Sequence, residues 1–328
     1  MKLRILVCLV LFALLLSGCA APPYTAVLYN KMNTDVAFTL YTEGRSGQAL
    51  LAACEELLDR AELLYSRTDS RAELAAVNAD PSETVLLSTE LSALLARALS
   101  LADETDGLFD PTAGILCELY DITGSKPLPD TAAIAAAFPY TGYRYLTLEA
   151  QCLARTPGTV LDLGGIAKGY LAEQLVAYLT GQGVRGGVLS LGGNVAVFGE
   201  KNDGSPFRIA IRSPFEGGGT VGVLTLRGTA YISTSGAYER YRVDEQGKRY
   251  HHIFDIQTCC PAESDLASVT VVASDGALAD AWSTALFVAG YDQAIALWEQ
   301  AGGAFEMLLV REDGEIYTTP GLSFTPNS

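Results

Sequence analysis

Between positions 48 and 64, Leu50, Leu51, Cys54, Leu57, Leu58, Ala61 and Leu64 recur at helical spacing. That three-and-four spacing is the stripe of an amphipathic helix. The same rhythm predicts helices over 70–77, from Ser88 as N-cap to Thr105, over 130–138, after Leu163 to about Leu179, over 275–289 with Gly290 as its stop, and near 292–300. Alternating or β-branched runs predict strands at 24–42, 159–163, 207–212, 221–226, 229–233, 250–256, 267–273, 304–310 and 314–318. Residues 145–148 and 152–154 read as a hairpin, 188–198 as a strand broken at Gly192-Gly193, and Gly44 to Gly47 as a turn. Helices and strands mix without a regular βα alternation. This predicts an α+β fold rather than a doubly wound parallel sheet.

The chain starts differently. Lys2 and Arg4 precede an apolar run over 5–16, followed by Ser17, Gly18 and Cys19. A basic start, a short apolar segment and small residues form an export signal, too short to span a membrane. Leu16-Ser17-Gly18-Cys19 resembles the lipobox of bacterial lipoproteins. The resemblance implies cleavage before Cys19, a lipid on its sulfur, and an extracytoplasmic protein anchored to a bacterial membrane. The expected organisation is a signal peptide at 1–18, a lipidated tether at 19–23 and one domain over 24–328. No other apolar run reaches the length of a span, which excludes a transporter or channel.

Composition narrows the function further. Apolar residues make up 49% and charged residues 18%, enough to bury a large core and too apolar for a disordered chain. The net charge of −16 repels phosphate backbones, so a nucleic-acid partner is not expected. Of the cysteines beyond Cys19, namely Cys54, Cys117, Cys152, Cys259 and Cys260, the last two are adjacent and no Cys-x-x-Cys occurs. Free thiols are the expected state. Gly181-Gln182-Gly183-Val184-Arg185-Gly186 matches a dinucleotide-loop string but follows a helix and precedes a strand, so it reads as a helix stop. His251 and His252 are the only histidines, and a G-x-S-x-G elbow is missing.

Three stretches carry candidate chemistry. In Asp162 to Tyr170 an acid, two glycines and Lys168 meet at a helix start, where open amides favour anions. The alternative is a tight turn with a solvated lysine. On the 275–289 helix Asp280 and Thr284 stand four residues apart and share a face. A carboxylate and a hydroxyl suit a hard cation such as Mg²⁺, or they are an acid and a solvent-facing threonine. In His251 to Pro261, His252 is either a base for an attacking hydroxyl or a strand-end histidine bonded to backbone.

In order and spacing these stretches resemble the ApbE family of FAD:protein FMN transferases. Its D-x-G-G-[IV]-[AG]-K-G-Y run is similar to Asp162 to Tyr170, its H-I-[IL]-D-P-x-T-G-x-P run to His252 to Pro261, and its S-V-T-V…A-D-A-x-[ST]-T-A-x-F run to Ser268 to Phe287. Gly107 to Gly114 resembles G-x-F-D-P-T-x-G, Thr234 to Arg240 resembles T-S-G-x-Y-x-R, and Ser66 to Asn78 resembles a further family stretch with an offset. Thr68 stands near the family's aromatic, Asn33 replaces the glycine of M-G-T, Ile256 replaces a proline, and Cys259-Cys260 replaces a glycine-containing turn.

The resemblance implies two lobes around an FAD cleft and transfer of FMN from FAD to a threonine hydroxyl, with release of AMP. It implies FAD contacts at Met32, Thr68, Leu108, Phe109, Asp110, Asp162, Lys168, Phe254 and Ser283. It implies Mg²⁺ on the Gly165 carbonyl, Asp280 and Thr284, and His252 as base. The implied partners are flavoprotein subunits of membrane electron-transfer complexes. Two other readings of the residues are a Mg²⁺-dependent FAD pyrophosphatase and a lipoprotein that binds FAD without turnover.

Overall fold

One eight-stranded sheet organises the chain, and its spatial order follows the sequence. The strands are β1 (Tyr24–Lys31), β2 (Thr34–Tyr41), β3 (Gly186–Leu191), β4 (Asn194–Gly199), β5 (Ala230–Gly236), β6 (Leu266–Ala273), β7 (Glu306–Arg311) and β8 (Ile316–Thr318). Every neighbouring pair is antiparallel. The computed structural model describes residues 22–42 and 46–327. Cys19, the leader and residues 44–45 of the expected 44–47 turn lie outside them. Among the described residues no helix is long and apolar enough to cross a membrane.

The helices are α1 (Gly47–Tyr65), α2 (Glu73–Ala79), α3 (Thr89–Glu104), α4 (Gly114–Tyr120), α5 (Thr131–Ala137), α6 (Ala167–Gly181), α7 (Gly276–Ala289) and α8 (Tyr291–Gln300). The predicted α+β class is the observed one. Stripes such as Leu50, Cys54 and Leu58 of α1, and Leu171, Leu175 and Leu179 of α6, enter one core with Val269 and Val271 of β6. Val272 points the other way and joins Val197, Ile232, Phe207, Ile211 and Leu224. That second core lies under a three-stranded sheet of Phe207–Arg212, Thr220–Leu226 and Phe324–Pro326. All eight residues of β6 are buried because both of its faces are covered. A third, smaller core gathers Leu116, Tyr120, Ile122, Phe254 and Cys259. The cleft described below takes walls from the first and third cores.

The caps behave as their chemistry requires. Ser88 Oγ accepts from the Leu91 amide at 3.1 Å and Asp275 Oδ1 from the Leu278 amide at 2.7 Å. After α6, Val184 N–H returns to the Leu179 carbonyl at 3.0 Å while Gly183 takes φ 77°. The string beginning at Gly181 is thus a helix stop. Helices α6 and α7 touch at Gly169 and Gly276, where a Cβ on Gly169 would lie 2.0 Å from the Gly276 carbonyl oxygen. No side chain fits there, and the close approach sets Asp280 beside the Gly169 amide.

Several expectations need correction. The 24–42 strand is a hairpin that turns at Met32 and Asn33, with φ 52° and 57°. Both residues are left-handed, as a two-residue turn demands, and asparagine tolerates that region where the family has glycine. Residues 159–163 are not a strand. The Leu161 N–H donates to Asn78 Oδ1 at 2.8 Å and its carbonyl accepts from Asn78 Nδ2 at 2.9 Å. A side chain has replaced the neighbouring strand, which pattern reading does not distinguish. The 250–256 strand breaks at His252 into Arg249–His251 and Phe254–Asp255. Helix α4 and strands Thr84–Leu86 and Phe324–Pro326 were not anticipated, being too short to show a period.

Candidate active site

A cleft of 1220 Å³ opens where α6, α7 and β5 meet the loops after α1 and α3. Met32, Thr68, Leu108, Phe109, Asp110, Asp162, Gly165, Lys168, His252, Phe254, Asp280 and Thr284 all line it. These positions span most of the sequence, and the fold brings them to one cavity. Ser283 is the exception. It is fully buried beneath the floor, with its Oγ 3.1 Å from Ser233 Oγ and 2.8 Å from Ser235 Oγ. A direct contact of Ser283 with FAD is therefore corrected to support of the floor, because the helical turn carries it to the inner face of α7.

The floor is built around Asp280. Its Oδ1 accepts from Asn194 Nδ2 at 3.1 Å and from Ser233 Oγ at 3.0 Å, and its Oδ2 accepts from the Gly169 amide at 3.0 Å. One turn later Thr284 reaches the same cavity. A Cβ on Gly165 would stand 3.5 Å from Thr284 Oγ1, so the backbone at 165 abuts that hydroxyl. Among the described residues no group of three or more His, Cys, Asp or Glu could hold a metal. A cation beside Asp280 and Thr284 would meet a carboxylate and neutral oxygens, completed by oxygens from substrate or water. That is a donor set Mg²⁺ accepts.

Asp162 and Lys168 flank the start of α6. Asp162 Oδ2 accepts from Arg67 Nε at 2.8 Å and Oδ1 from the Gly164 amide at 2.7 Å. Burial works against the charged carboxyl, but the Arg67 guanidinium and these bonds outweigh it and hold the carboxyl below its usual range. Lys168 Nζ donates to the Gly164 carbonyl at 3.1 Å. It thereby places a cation beside amides that carry no side-chain cap.

His252 lies across the cleft. Its Nδ1 is 3.2 Å from the Arg240 carbonyl oxygen, and its own amide donates to the same oxygen at 3.2 Å. An acceptor at Nδ1 assigns the proton there and leaves Nε2 with its lone pair. Burial drives the imidazole down to about 4, and the nearby charge of Arg240 adds to it. The backbone bond of the second reading is present, and it leaves Nε2 able to accept a proton. His251 is different. It is buried, with Nε2 3.0 Å from the Ala262 carbonyl and Nδ1 accepting from the Ile253 amide at 3.3 Å.

Two aromatic rings contribute apolar wall among many polar lining residues. Phe109 and Phe254 are nearly buried, and the Phe254 ring centroid lies 5.2 Å from that of Tyr120. Asp110 lines the cleft, but its Oδ1 takes the Thr112 amide at 2.8 Å and its Oδ2 the Tyr143 amide at 2.7 Å. Thr68 is exposed at the mouth. Cys117 also lines the cleft and, like Cys54, Cys152, Cys259 and Cys260, is a free thiol. Sequence reading gives Arg67 and Asn194 no role and considers Ser233 only as a hydrolase serine. Arg67 lies inside the Ser66 to Asn78 stretch and Ser233 just before Thr234 to Arg240, and their hydrogen bonds supply the role.

Residues 32–309 match the model of the ApbE family. A relative from Treponema pallidum (strain Nichols), an FAD:protein FMN transferase, is 34% identical over 292 residues, 83% of this chain and 80% of its own length. One of the same name from Klebsiella pneumoniae (strain 342) is 32% identical over 310 residues, 92% of this chain and 94% of its own. Among solved structures, the ApbE protein of Thermotoga maritima superposes with a TM-score of 0.84 at 32% identity, covering 91% of this chain and 97% of that one. The flavin transferase ApbE of Vibrio cholerae gives 0.81 at 27% identity, covering 91% and 98%. Shared sequence, shared architecture and a family match across most of the chain agree, and the chain belongs to the ApbE family.

Proposed function

We propose that this chain is an FAD:protein FMN transferase. The observation that carries the reading is the convergence, in one cleft, of Asp280 and Thr284 oxygens, the cation of Lys168 and a neutral His252. The acceptor threonine oxygen bonds to the FMN phosphorus of FAD, and the bond from that phosphorus to the bridging oxygen breaks. AMP leaves with that oxygen, and the threonine proton passes to His252 Nε2. Lys168 and the start of α6 offset pyrophosphate charge in an otherwise acidic protein. Phe109, Phe254, Met32 and Leu108 give the ring systems an apolar wall, while Asp162, fixed by Arg67, offers a hydrogen-bond acceptor. Mg²⁺ fits the Asp280 carboxylate, the Thr284 hydroxyl and the Gly165 carbonyl. When bound it would neutralise developing phosphate charge.

The proposed acceptors are flavoprotein subunits of membrane electron-transfer complexes. The proposed location is extracytoplasmic, with the chain anchored by lipid on Cys19. An anchored enzyme meets acceptors at the same membrane. The test incubates the mature protein with FAD, Mg²⁺ and a candidate acceptor. Covalent FMN on the acceptor supports the proposal. Free FMN and AMP alone would mean a pyrophosphatase, and unchanged FAD would mean a binding protein.

A further inference from the structure

We infer that Asn194 and Ser233 set the metal preference of this site by restricting Asp280 to one-oxygen coordination. The inference rests on the metal reading above. A carboxylate offers about four lone-pair positions. Three donors already occupy Asp280: Asn194 Nδ2 and Ser233 Oγ on Oδ1, and the Gly169 amide on Oδ2. One position is left, and it is on Oδ2. A cation in the cleft therefore meets a single oxygen of Asp280. Bidentate binding would displace Asn194 or Ser233 from Oδ1, and both side chains are buried, so losing that bond is costly.

The restriction discriminates between ions. Ca²⁺ takes six to eight oxygens and often uses both oxygens of one carboxylate, whereas Mg²⁺ accepts single oxygens in a tight octahedron with retained waters. Among the described residues no cluster of three or more His, Cys, Asp or Glu stands ready to supply the larger oxygen set that Ca²⁺ prefers. Asn194 and Ser233 thus act as positioning residues. Asn194 opens strand β4 and Ser233 sits in β5, directly paired across the ladder, so both donors come from rigid strands. Ser283, whose Oγ lies 3.1 Å from that of Ser233, fixes the hydroxyl from behind.

Mn²⁺ bound to the protein is followed by its EPR signal and displaced with Mg²⁺ or Ca²⁺. In the wild type, Mg²⁺ is expected to compete better than Ca²⁺. In Ser233→Ala and Asn194→Ala the affinity for Ca²⁺ relative to Mg²⁺ is expected to rise about tenfold, the lower end of what outer hydrogen-bond partners contribute to metal sites. Thr284→Ala should weaken both ions without changing their ratio. An unchanged ratio in both folded variants overturns the inference. Mn²⁺ binding that survives Asp280→Asn overturns the metal reading itself, and with it the inference. A wild-type measurement guards against variants that do not fold: the infrared carboxylate bands that change on adding Mg²⁺ and vanish in Asp280→Asn. A separation between the antisymmetric and symmetric bands wider than in the free carboxylate supports one-oxygen binding, and a narrower one overturns it.

Discussion

His252 Nδ1 and the Arg240 carbonyl oxygen lie 3.2 Å apart, and this contact decides which imidazole nitrogen can act as a base. With the folded value pushed down to about 4, His252 stays neutral at every pH above that. Its neutral form is the one that accepts a proton. The transfer rate should therefore hold from pH 8 to about pH 5 and fall through about pH 4, not near the ordinary histidine range of about 6.5. The folded value lies below the unfolded one, so the unfolded chain binds more protons between them. Stability from this group is complete above the unfolded value and is lost as pH falls toward 4. Single-turnover rates across pH check the first claim. An acid limb centred near 6.5 that disappears in His252→Asn would refute it.

Arg67 and Asp162 form the second charged element of the cleft. Arg67→Leu removes the guanidinium that holds Asp162 charged and leaves its burial unopposed. Breaking a buried pair in this way costs about 3 kcal/mol. The carboxyl should rise in the folded state, and FAD affinity should fall more at pH 5 than at pH 8. Fluorescence titration of FAD at the two values measures it. Equal losses at both would mean that Arg67 contacts FAD directly rather than through Asp162.

Much of this site was legible before the fold was known, for a physical reason. Asp280 and Thr284 share a helix face, Lys168 follows two glycines at a helix start, and Ser88 announces a helix cap. All are short-range relations that spacing records. What stayed hidden depends on distant partners. Asn78 holds Leu161 across 83 residues and Arg67 holds Asp162 across 95. No local period reports either. Ser283 was placed in the cleft because its neighbours are there, but the helical turn carries its hydroxyl inward. The tight turn at Met32-Asn33 was missed because it contains no glycine.

Thr68 stands exposed at the cleft mouth, where the ApbE resemblance expects an aromatic ring. Thr68→Tyr should tighten flavin binding, since stacking on a ring system contributes about 0.5–1.5 kcal/mol beyond area burial. That is up to about a tenfold fall in Kd. A mutant with equal or weaker FAD affinity would show that the ring systems do not approach position 68.

The proposed anchor is separable from catalysis. Cys19→Ser removes the sulfur that would carry lipid while leaving the described domain untouched. Membrane association should be lost, with secondary structure by circular dichroism and soluble transfer activity retained. A mutant found in the membrane fraction, cleaved and lipid-labelled, would exclude lipidation at this residue.

Asp280→Ala tests the floor of the site as a whole. The substitution removes the one carboxylate of the proposed Mg²⁺ set, leaving neutral oxygens from Thr284 and Gly165. Transfer should fall at least about a hundredfold, the scale of losing a main electrostatic stabiliser. Stability should fall as well, because the Gly169 amide, Asn194 Nδ2 and Ser233 Oγ all donate to this carboxylate. Each buried donor left without a partner costs about 1–3 kcal/mol. Thr284→Ala removes a single neutral ligand whose own bond to the Asp280 carbonyl is long, at 3.4 Å. It should lose less activity and almost no stability. Rates over a Mg²⁺ series, paired with thermal melts, separate the two effects. If Asp280→Ala melts earlier yet keeps a near-normal rate, or EDTA leaves the wild-type rate unchanged, the carboxylate is a structural anchor for α6, β4 and β5 and not a metal ligand.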